Sequence, residues 1–176
     1  MSKMASASSN TTPLSDDQAD AHSSSQRSEA FVDLDLCGIA LATMAFDGRP
    51  VVGKCVGFVA TNDALRVTLR KSANEKLIGA VQLGSPVAVT FSRPTTHGSI
   101  QFKARSARID EPDRDDFLAA QRQRERFSAE LVASAYPPEF SDLYTAYAPH
   151  DLLVLEFEPE EVFDQSPGPA AGARLK

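Results

Sequence analysis

The stretch that decides the fold runs Leu65-Arg-Val-Thr-Leu-Arg-Lys-Ser-Ala-Asn-Glu-Lys76. Its first five residues alternate between apolar and polar side chains, which is typical of a half-buried β-strand. The segment Ser72–Glu75 then matches the S-x-x-E capping box, which predicts that a helix begins here with Ser72 as its N-cap. A strand that ends in two adjacent cations, Arg70 and Lys71, is therefore followed at once by a helix N-terminus.

This arrangement suits a phosphate. A helix N-terminus offers free backbone N–H groups and partial positive charge, and both favour an anion. The Ser72 hydroxyl would lie at the same point, and the neighbouring cations are Arg70, Lys71 and Lys76. The alternative, from the residues alone, is a capped helix with basic side chains on a solvated rim. Neither a Walker motif nor a G-x-G-x-x-G after a strand is present, so neither a P-loop nor a Rossmann site is indicated.

Segments with strand character surround this stretch on both sides. Turn sequences at Asp47–Pro50 and Thr61–Asp63 separate the first three segments, which indicates an antiparallel meander. The predicted strands are Cys37–Phe46, Val51–Ala60, Leu65–Leu69, Pro86–Phe91, Ser99–Ile109 and Leu152–Phe157. Short strands with peripheral helices favour a mainly β fold, and pattern alone leaves a barrel and a sandwich equal.

Two helices are predicted outside these strands. The short one begins at Ser72 and stops at Gly84, and the longer one covers roughly Asp113–Ala135. The predicted buried stripe of the longer helix consists of Phe117, Leu118, Phe127, Leu131 and Val132. Its arginines are predicted to form a solvated face rather than a nucleic-acid contact, and they are Arg114, Arg122, Arg124 and Arg126.

Composition excludes several classes of protein. The 176 residues carry a net charge of −6, which argues against a nucleic-acid binder. No apolar run approaches the roughly 20 residues that cross a bilayer, so no membrane span is expected. The two cysteines, Cys37 and Cys55, give neither a disulfide framework nor a CxxC pair, and we expect reduced thiols in a cytoplasmic protein. No histidine has the spacing of a metal ligand, so no metal is predicted.

The domain organisation follows from shifts in composition. Residues 1–29 are rich in serine and poor in large apolar residues, so we expect a disordered tail. Residues 30–164 form the predicted domain, with a helical insertion at 112–148. The segment 165–176, rich in proline and glycine, is predicted to be an irregular C-terminal tail.

The order of the segments resembles the pyridoxamine 5′-phosphate oxidase-like, FMN-binding split β-barrel superfamily. The resemblance rests on Asp47–Pro50, Leu65–Leu69, Asn74–Lys76, Gly84–Phe91 and Ser99–Lys103. It covers most of residues 31–109, and Leu152–Phe157 fits a closing barrel strand. It implies a six-stranded antiparallel split β-barrel of Greek-key type, with one short and one longer peripheral helix.

The resemblance also implies a homodimer with FMN in a groove at the dimer interface. Lys76 matches the lysine of the family's phosphate motif, while Asn74 and Glu75 replace its usual serine and arginine. Arg70 or Lys71, just upstream, would take the place of the missing arginine.

Two further strand positions are implied as cofactor contacts. Thr68 and Leu69 match the strand end that runs along the flavin ring, and Ser99 or Gln101 would face the cofactor across the dimer. Gln101 is preferred because its amide both donates and accepts hydrogen bonds. The predicted cofactor-binding residues are thus Thr68, Leu69, Arg70, Lys71, Ser72, Asn74, Lys76, Ser99 and Gln101.

The implied function is that of an FMN-dependent oxidoreductase. It would move hydride or electrons between a reduced nicotinamide, oxygen or a small organic substrate, and the residues identify no catalytic side chain. The chain has no tryptophan and lacks the arginine-containing C-terminal signature of true pyridoxamine-phosphate oxidases, which argues against vitamin B6 oxidase activity. The alternatives are a non-catalytic flavin- or haem-binding sensor on the same barrel, and a deazaflavin F420-dependent reductase.

Overall fold

A computed structural model describes residues 38–45, 47–61 and 63–175. The predicted serine-rich tail at 1–29, Cys37 and Phe46 lie outside these residues. The strands are β1 (Gly38–Met44), β2 (Pro50–Ala60), β3 (Leu65–Arg70), β4 (Val87–Ser92), β5 (Ser99–Ala104), β6 (Arg108–Asp110), β7 (Leu152–Phe157), β8 (Glu161–Asp164) and β9 (Arg174–Leu175). The α-helices are α1 (Glu75–Gln82), α2 (Arg114–Ala133) and α3 (Pro138–Thr145).

The strands form one antiparallel sheet in the order β6-β7-β3-β2-β1-β4-β5-β8-β9. The run β4-β1-β2-β3 within it is a Greek key, as predicted, because the fourth strand returns beside the first. The prediction of six strands is wrong. The segment Ser99–Ile109 divides into β5 and β6, since Arg105–Ala107 leaves the ladder, and β8 and β9 extend the sheet beyond β5.

The sheet curves around a single large core. Helix α1 contacts β1, β2 and β6, which are not all neighbours in the sheet, so the sheet must bend to bring them to one helix. Three aromatic rings pack edge-to-face inside, with centroids 4.9 Å apart for Phe58 and Phe91 and 5.6 Å apart for Phe91 and Phe102.

Helix α2 covers the outer face of β2 at very short range. A Cβ placed on Gly57 would lie 2.8 Å from the backbone of Ala120, so only a glycine admits the helix this closely. The apolar stripe predicted for α2 is therefore largely wrong. Among its members Leu131 is buried, whereas Phe117, Leu118 and Val132 are 38%, 41% and 44% exposed. Besides Leu131, the buried face carries small or polar residues, namely Asp116, Ala119, Ala120 and Gln123.

An ion-pair network fixes the start of α2 to β3. The Arg66 guanidinium lies 2.6 Å from the carboxylate of Asp116, which is completely buried, and 2.6 Å from that of Glu156 on β7. Asp116 also accepts from the backbone N–H of Asp113, the N-cap of α2, in a reciprocal capping box. The predicted arginine face of α2 is exposed, which confirms it as a solvated surface.

The end of the chain adds a short edge to the sheet. The segment 165–173 is irregular, as predicted, but Arg174–Leu175 pairs with β8 rather than continuing as a tail. None of the helices in the described ranges has both the length and the apolar composition needed to span a membrane.

Candidate functional site

The turn between β3 and α1 differs from the predicted capping box. Helix α1 begins at Glu75, and its N-cap is Asn74, which makes no side-chain capping hydrogen bond. Ser72 instead donates to Asp151, from its hydroxyl at 2.6 Å and its backbone N–H at 2.8 Å. These hydrogen bonds, the hydroxyl first, lower the pKa of the Asp151 carboxyl. The carboxylate of Asp151 thus occupies the place on the Ser72 donors that the sequence assigned to a phosphate.

Asn74 and Lys71, two more of the predicted phosphate ligands, also have partners within the chain. The Asn74 side chain is buried, donates to the carbonyl of Arg70 at 2.8 Å and packs against Gly53 of β2. Lys71 lies 3.5 Å from the exposed carboxylate of Glu111. Asn74 therefore holds the turn in shape, while a surface pair of this kind is weak enough to exchange with a ligand.

Arg70 and Lys54 form a pair of neighbouring cations beside this turn, and the charge of Arg70 also helps to lower the pKa of Asp151. Cys55 pairs with Leu69, so Lys54 and Arg70, one position further along each antiparallel strand, lie opposite each other on the outer face. Neither side chain has a carboxylate within ion-pair distance in the part of the chain that the structure describes. Lys54 and Arg70 line a pocket of about 310 Å³ that α3 closes from the other side.

The surroundings of Lys54 favour the neutral form of its amine. Burial, and then the charge of Arg70, lower its pKa from 10.5 to about 8. Its ammonium lies 3.6 Å from the ring centroid of Tyr144 and donates to the carbonyl of the same residue. A bound anion would offset both the desolvation and the repulsion, so the pocket is electrostatically suited to a phosphate or a carboxylate.

Lys76, the lysine of the implied phosphate motif, is fully available. It is exposed on the first turn of α1 and has no hydrogen-bond or ion-pair partner among the residues described. With Arg70, Lys71 and Lys54 it gives the β3–α1 turn a local positive charge in a chain whose net charge is −6.

The other predicted contacts lie apart from this turn. Thr68 and Leu69 are buried, Leu69 in the core and Thr68 with a hydroxyl that has no partner in the described residues. Gln101 donates to Thr90 at 2.9 Å, and the Ser99 hydroxyl donates to a carbonyl at 3.2 Å. Ser99 and Gln101 lie on β5, which β2, β1 and β4 separate from β3 in the order of the sheet.

Sequence reasoning missed two residues of this region. Lys54 is the only charged residue in its strand, which is a signal that could have identified it. Asp151 could not have been found, because only the fold brings it to Ser72, 79 residues away. Across the described ranges, no His, Cys, Asp and Glu side chains group in a way that could hold a metal ion.

Solved structures share this architecture. A protein related to general stress protein 26 of B. subtilis, of the pyridoxinephosphate oxidase family, from Clostridium acetobutylicum, matches with a TM-score of 0.50 at 12% identity, over 86% of this chain and 92% of that one. The chain has the split β-barrel fold of the pyridoxamine 5′-phosphate oxidase-like proteins. This fold is mainly β, as predicted.

Two further split-barrel matches have lower scores. A pyridoxamine 5′-phosphate oxidase-related, FMN-binding protein from Nostoc punctiforme is 15% identical over 89% of this chain and 87% of that one, with a TM-score of 0.42. An F420 reductase is 17% identical over 76% and 94%, with a TM-score of 0.47. No protein-family model and no curated protein matches the chain.

Proposed function

We propose that this protein is a homodimeric, FMN-binding oxidoreductase that anchors the cofactor phosphate at the β3–α1 turn. The observation that supports the proposal is the pair of cations Lys54 and Arg70, which line one pocket of the split barrel and have no ion-pair partner among the described residues. The charge of Arg70 lowers the pKa of Lys54, so the two cations repel each other and an anionic ligand between them would be favourable. Lys76 lies unpartnered on the adjoining helix and adds a third cation.

The residues of the chain bind and orient the cofactor in this proposal. Lys54 and Arg70 hold the phosphate, Lys76 supplements them, and Lys71 leaves Glu111 to join them. Ser72 keeps Asp151 in place, and Asn74 shapes the turn. Ser99 and Gln101 of the partner subunit complete the site. FMN, when bound, supplies the redox chemistry with a reduced nicotinamide as donor, so the protein needs no conspicuous catalytic side chain.

The roles of Thr68 and Leu69 remain predictions. Both side chains are buried, so their contact with a flavin ring would run through the backbone, or, for Thr68, would require a local shift that uncovers the hydroxyl. The unpartnered Thr68 hydroxyl would gain a hydrogen bond in the second case.

Titration with FMN and with riboflavin tests the anchor, because the two ligands differ only in the phosphate. We expect Lys54→Gln and Lys76→Ala each to weaken FMN binding by about 1.5–3 kcal/mol, the usual contribution of a hydrogen bond to a charged group. Riboflavin binding should not change in either variant. Arg122→Ala, which removes an exposed cation of α2, is the matched control and should bind both ligands as the wild type does.

Two results would contradict the proposal. An FMN titration that neither Lys54→Gln nor Lys76→Ala alters would remove the phosphate from this turn. A purified protein that takes up no flavin from solution would exclude FMN altogether, and F420 would be the next cofactor to titrate. Steady oxidation of NADPH by the flavin-loaded protein would distinguish an enzyme from a binding protein.

A further inference from the structure

Helix α3 buries its polar side and exposes its apolar side. Ser141 and Thr145 are buried, at 0% and 3% exposure, and hydrogen bonds within the chain satisfy both hydroxyls. The large apolar side chains of α3 lie on the outside, where Phe140, Leu143 and Tyr144 are 42%, 79% and 45% exposed. A surface helix ordinarily turns its apolar stripe toward the core, so these three side chains, the α3 face, indicate that a further surface covers them.

A groove of about 720 Å³ on the sheet offers small side chains that are complementary in shape to this face. Ala42 of β1 and Ala88 of β4 are paired neighbours and line the groove together, and Met44 and Pro86 continue its apolar lining. Protruding side chains on one surface and alanines on the other allow the two surfaces to interlock. We call this second surface the alanine groove.

The charges of the two surfaces are also complementary. The charged residues of α3 are Glu139 and Asp142, which are both exposed acids. Three cations and two glutamates line the alanine groove, and two of the cations are paired with the glutamates. The third cation, Lys103, lies over an aromatic ring and has no carboxylate within ion-pair distance among the residues that the structure describes. The groove therefore presents a surplus of positive charge to an acidic helix.

We propose that α3 of one subunit docks into the alanine groove of a second copy of this chain. Each subunit carries both surfaces, so two reciprocal contacts related by a twofold axis close the dimer. The inference rests on the homodimer of the proposed function and names the two surfaces that build it. The helical insertion at 112–148 thereby acquires a role in assembly.

The docking is consistent with the position of the proposed flavin anchor. The α3 face lines the pocket of Lys54 and Arg70, and Lys103 of the groove follows Gln101 on the same face of β5. The contact between α3 and the groove therefore brings Gln101 of the partner subunit toward the pocket that it is proposed to complete.

Sedimentation equilibrium of the full chain tests the contact. Leu143→Lys places a charge in the middle of the α3 face and repels the cations of the groove, so it should raise the dissociation constant of the dimer by about 30-fold or more. Met44→Lys, which alters the groove instead, should have the same effect. Leu83→Lys is the matched control, because Leu83 is 71% exposed at the end of α1 and lies outside both surfaces; it should dimerise as the wild type does.

Crosslinking identifies the two surfaces with conservative variants. Tagged chains with Leu143→Cys and untagged chains with Ala88→Cys, all carrying Cys37→Ser, are co-expressed and treated with a short bis-maleimide. Links should form between tagged and untagged chains, while the buried thiol of Cys55 should not react. Coupling of Leu143→Cys chains only to one another would show that α3 packs on α3, and the inference would fail.

The outcomes separate this inference from the proposed function. A dimer that binds FMN and that Leu143→Lys leaves intact would overturn the docking of α3 and leave the flavin anchor standing. A dimer that takes up no flavin but that Leu143→Lys dissociates would support the docking and overturn the flavin site. A wild-type chain that stays monomeric at every concentration would overturn both the docking and the homodimer.

Discussion

Lys54 shows how a single charged residue in an apolar strand can define a site. Its neighbours are the guanidinium of Arg70 on β3, the ring and carbonyl of Tyr144 on α3, and the ring of Phe127 on α2. None of them is an anion. The carbonyl and the rings compensate for burial only in part, so burial and then the charge of Arg70 lower the pKa of Lys54 to about 8.

This lowered pKa makes a prediction about stability. Between about pH 8 and the unfolded value of 10.5, the unfolded chain binds more protons at this position than the folded chain. Stability should therefore rise as the pH increases above neutrality. Urea denaturation at about pH 7, 8 and 9 measures the effect. Lys54→Met should flatten the rise, whereas Lys76→Met, at an exposed position, should retain it.

A second titrating group, the thiol of Cys55, limits the range of pH over which this experiment reports on Lys54. Burial raises the pKa of the Cys55 thiol to about 12, above its ordinary 9.0, and that shift lowers stability as the pH rises through this interval. Below about pH 9 the contribution of Lys54 dominates. An identical pH profile for Lys54→Met and the wild type would show that Lys54 is well solvated.

The contact between α2 and β2 depends on Gly57, so a larger residue at this position should disturb the packing of the helix on the strand. An alanine here would place its Cβ 2.8 Å from the backbone of Ala120, where no flexible side chain can move aside. Gly57→Ala should reduce the free energy of unfolding by about 1–3 kcal/mol, the usual cost of overpacking. Chemical denaturation gives the value.

Gly79→Ala is the control for this substitution. Gly79 lies in the middle of α1 with nothing within 4 Å of an added Cβ, so alanine should stabilise the helix by about 0.5–1 kcal/mol. Equal destabilisation by both substitutions would mean that α2 does not pack on Gly57 as described.

Arg66 joins β3 to α2, and its removal should be costly. The carboxylate of Asp116 is completely buried, so Arg66→Met would leave it without its cation and should destabilise the protein by about 3–5 kcal/mol. Arg108→Met is the comparison, because Arg108 pairs with Glu156 at a side-chain exposure of 64% and should cost less than about 1 kcal/mol. Similar urea midpoints for the two variants would show that the ion pair of Arg66 with Asp116 stabilises the protein no more than the exposed pair of Arg108 with Glu156.

The strands of the sheet were predictable from the sequence where alternation was regular. Leu65–Leu69 alternates and Leu152–Phe157 is apolar except at Glu156, and both are strands within one residue of the predicted bounds. The buried face of α2 was not predictable from apolar periodicity, because the close approach at Gly57 demands alanines and the ion pair with Arg66 demands Asp116.

The candidate site was predictable only in part. A run of cations before a helix identifies Arg70, Lys71 and Lys76 from local sequence. The partners that modify them come from distant segments: Lys54 from β2, Asp151 from the turn before β7, and Tyr144 from α3. A capping motif is equally local, and it failed at Ser72 because Asp151 accepts the backbone N–H of Ser72 that Glu75 would accept in a capping box.

The molecule as a whole carries a prediction about assembly. The proposed site includes Ser99 and Gln101 of the partner subunit. Retention of FMN should therefore fall on dilution, in parallel with dissociation of the dimer. Sedimentation velocity monitored at the flavin absorbance measures both. A monomer that retains FMN at every concentration would show that one chain forms the complete site.

The position of β7 has a consequence for how the chain is made. It pairs with β3 from Leu65↔Phe157 to Arg70↔Leu152, and among the described strands β6 pairs only with β7. During synthesis, the edge of β3 that pairs with β7 therefore stays unpaired until the whole insertion has left the ribosome. Such sequence-distant pairing makes folding slow, in the range of milliseconds to seconds. A nascent chain stalled before Leu152 should therefore be a strong substrate for chaperones, and release of the last strands should end that dependence.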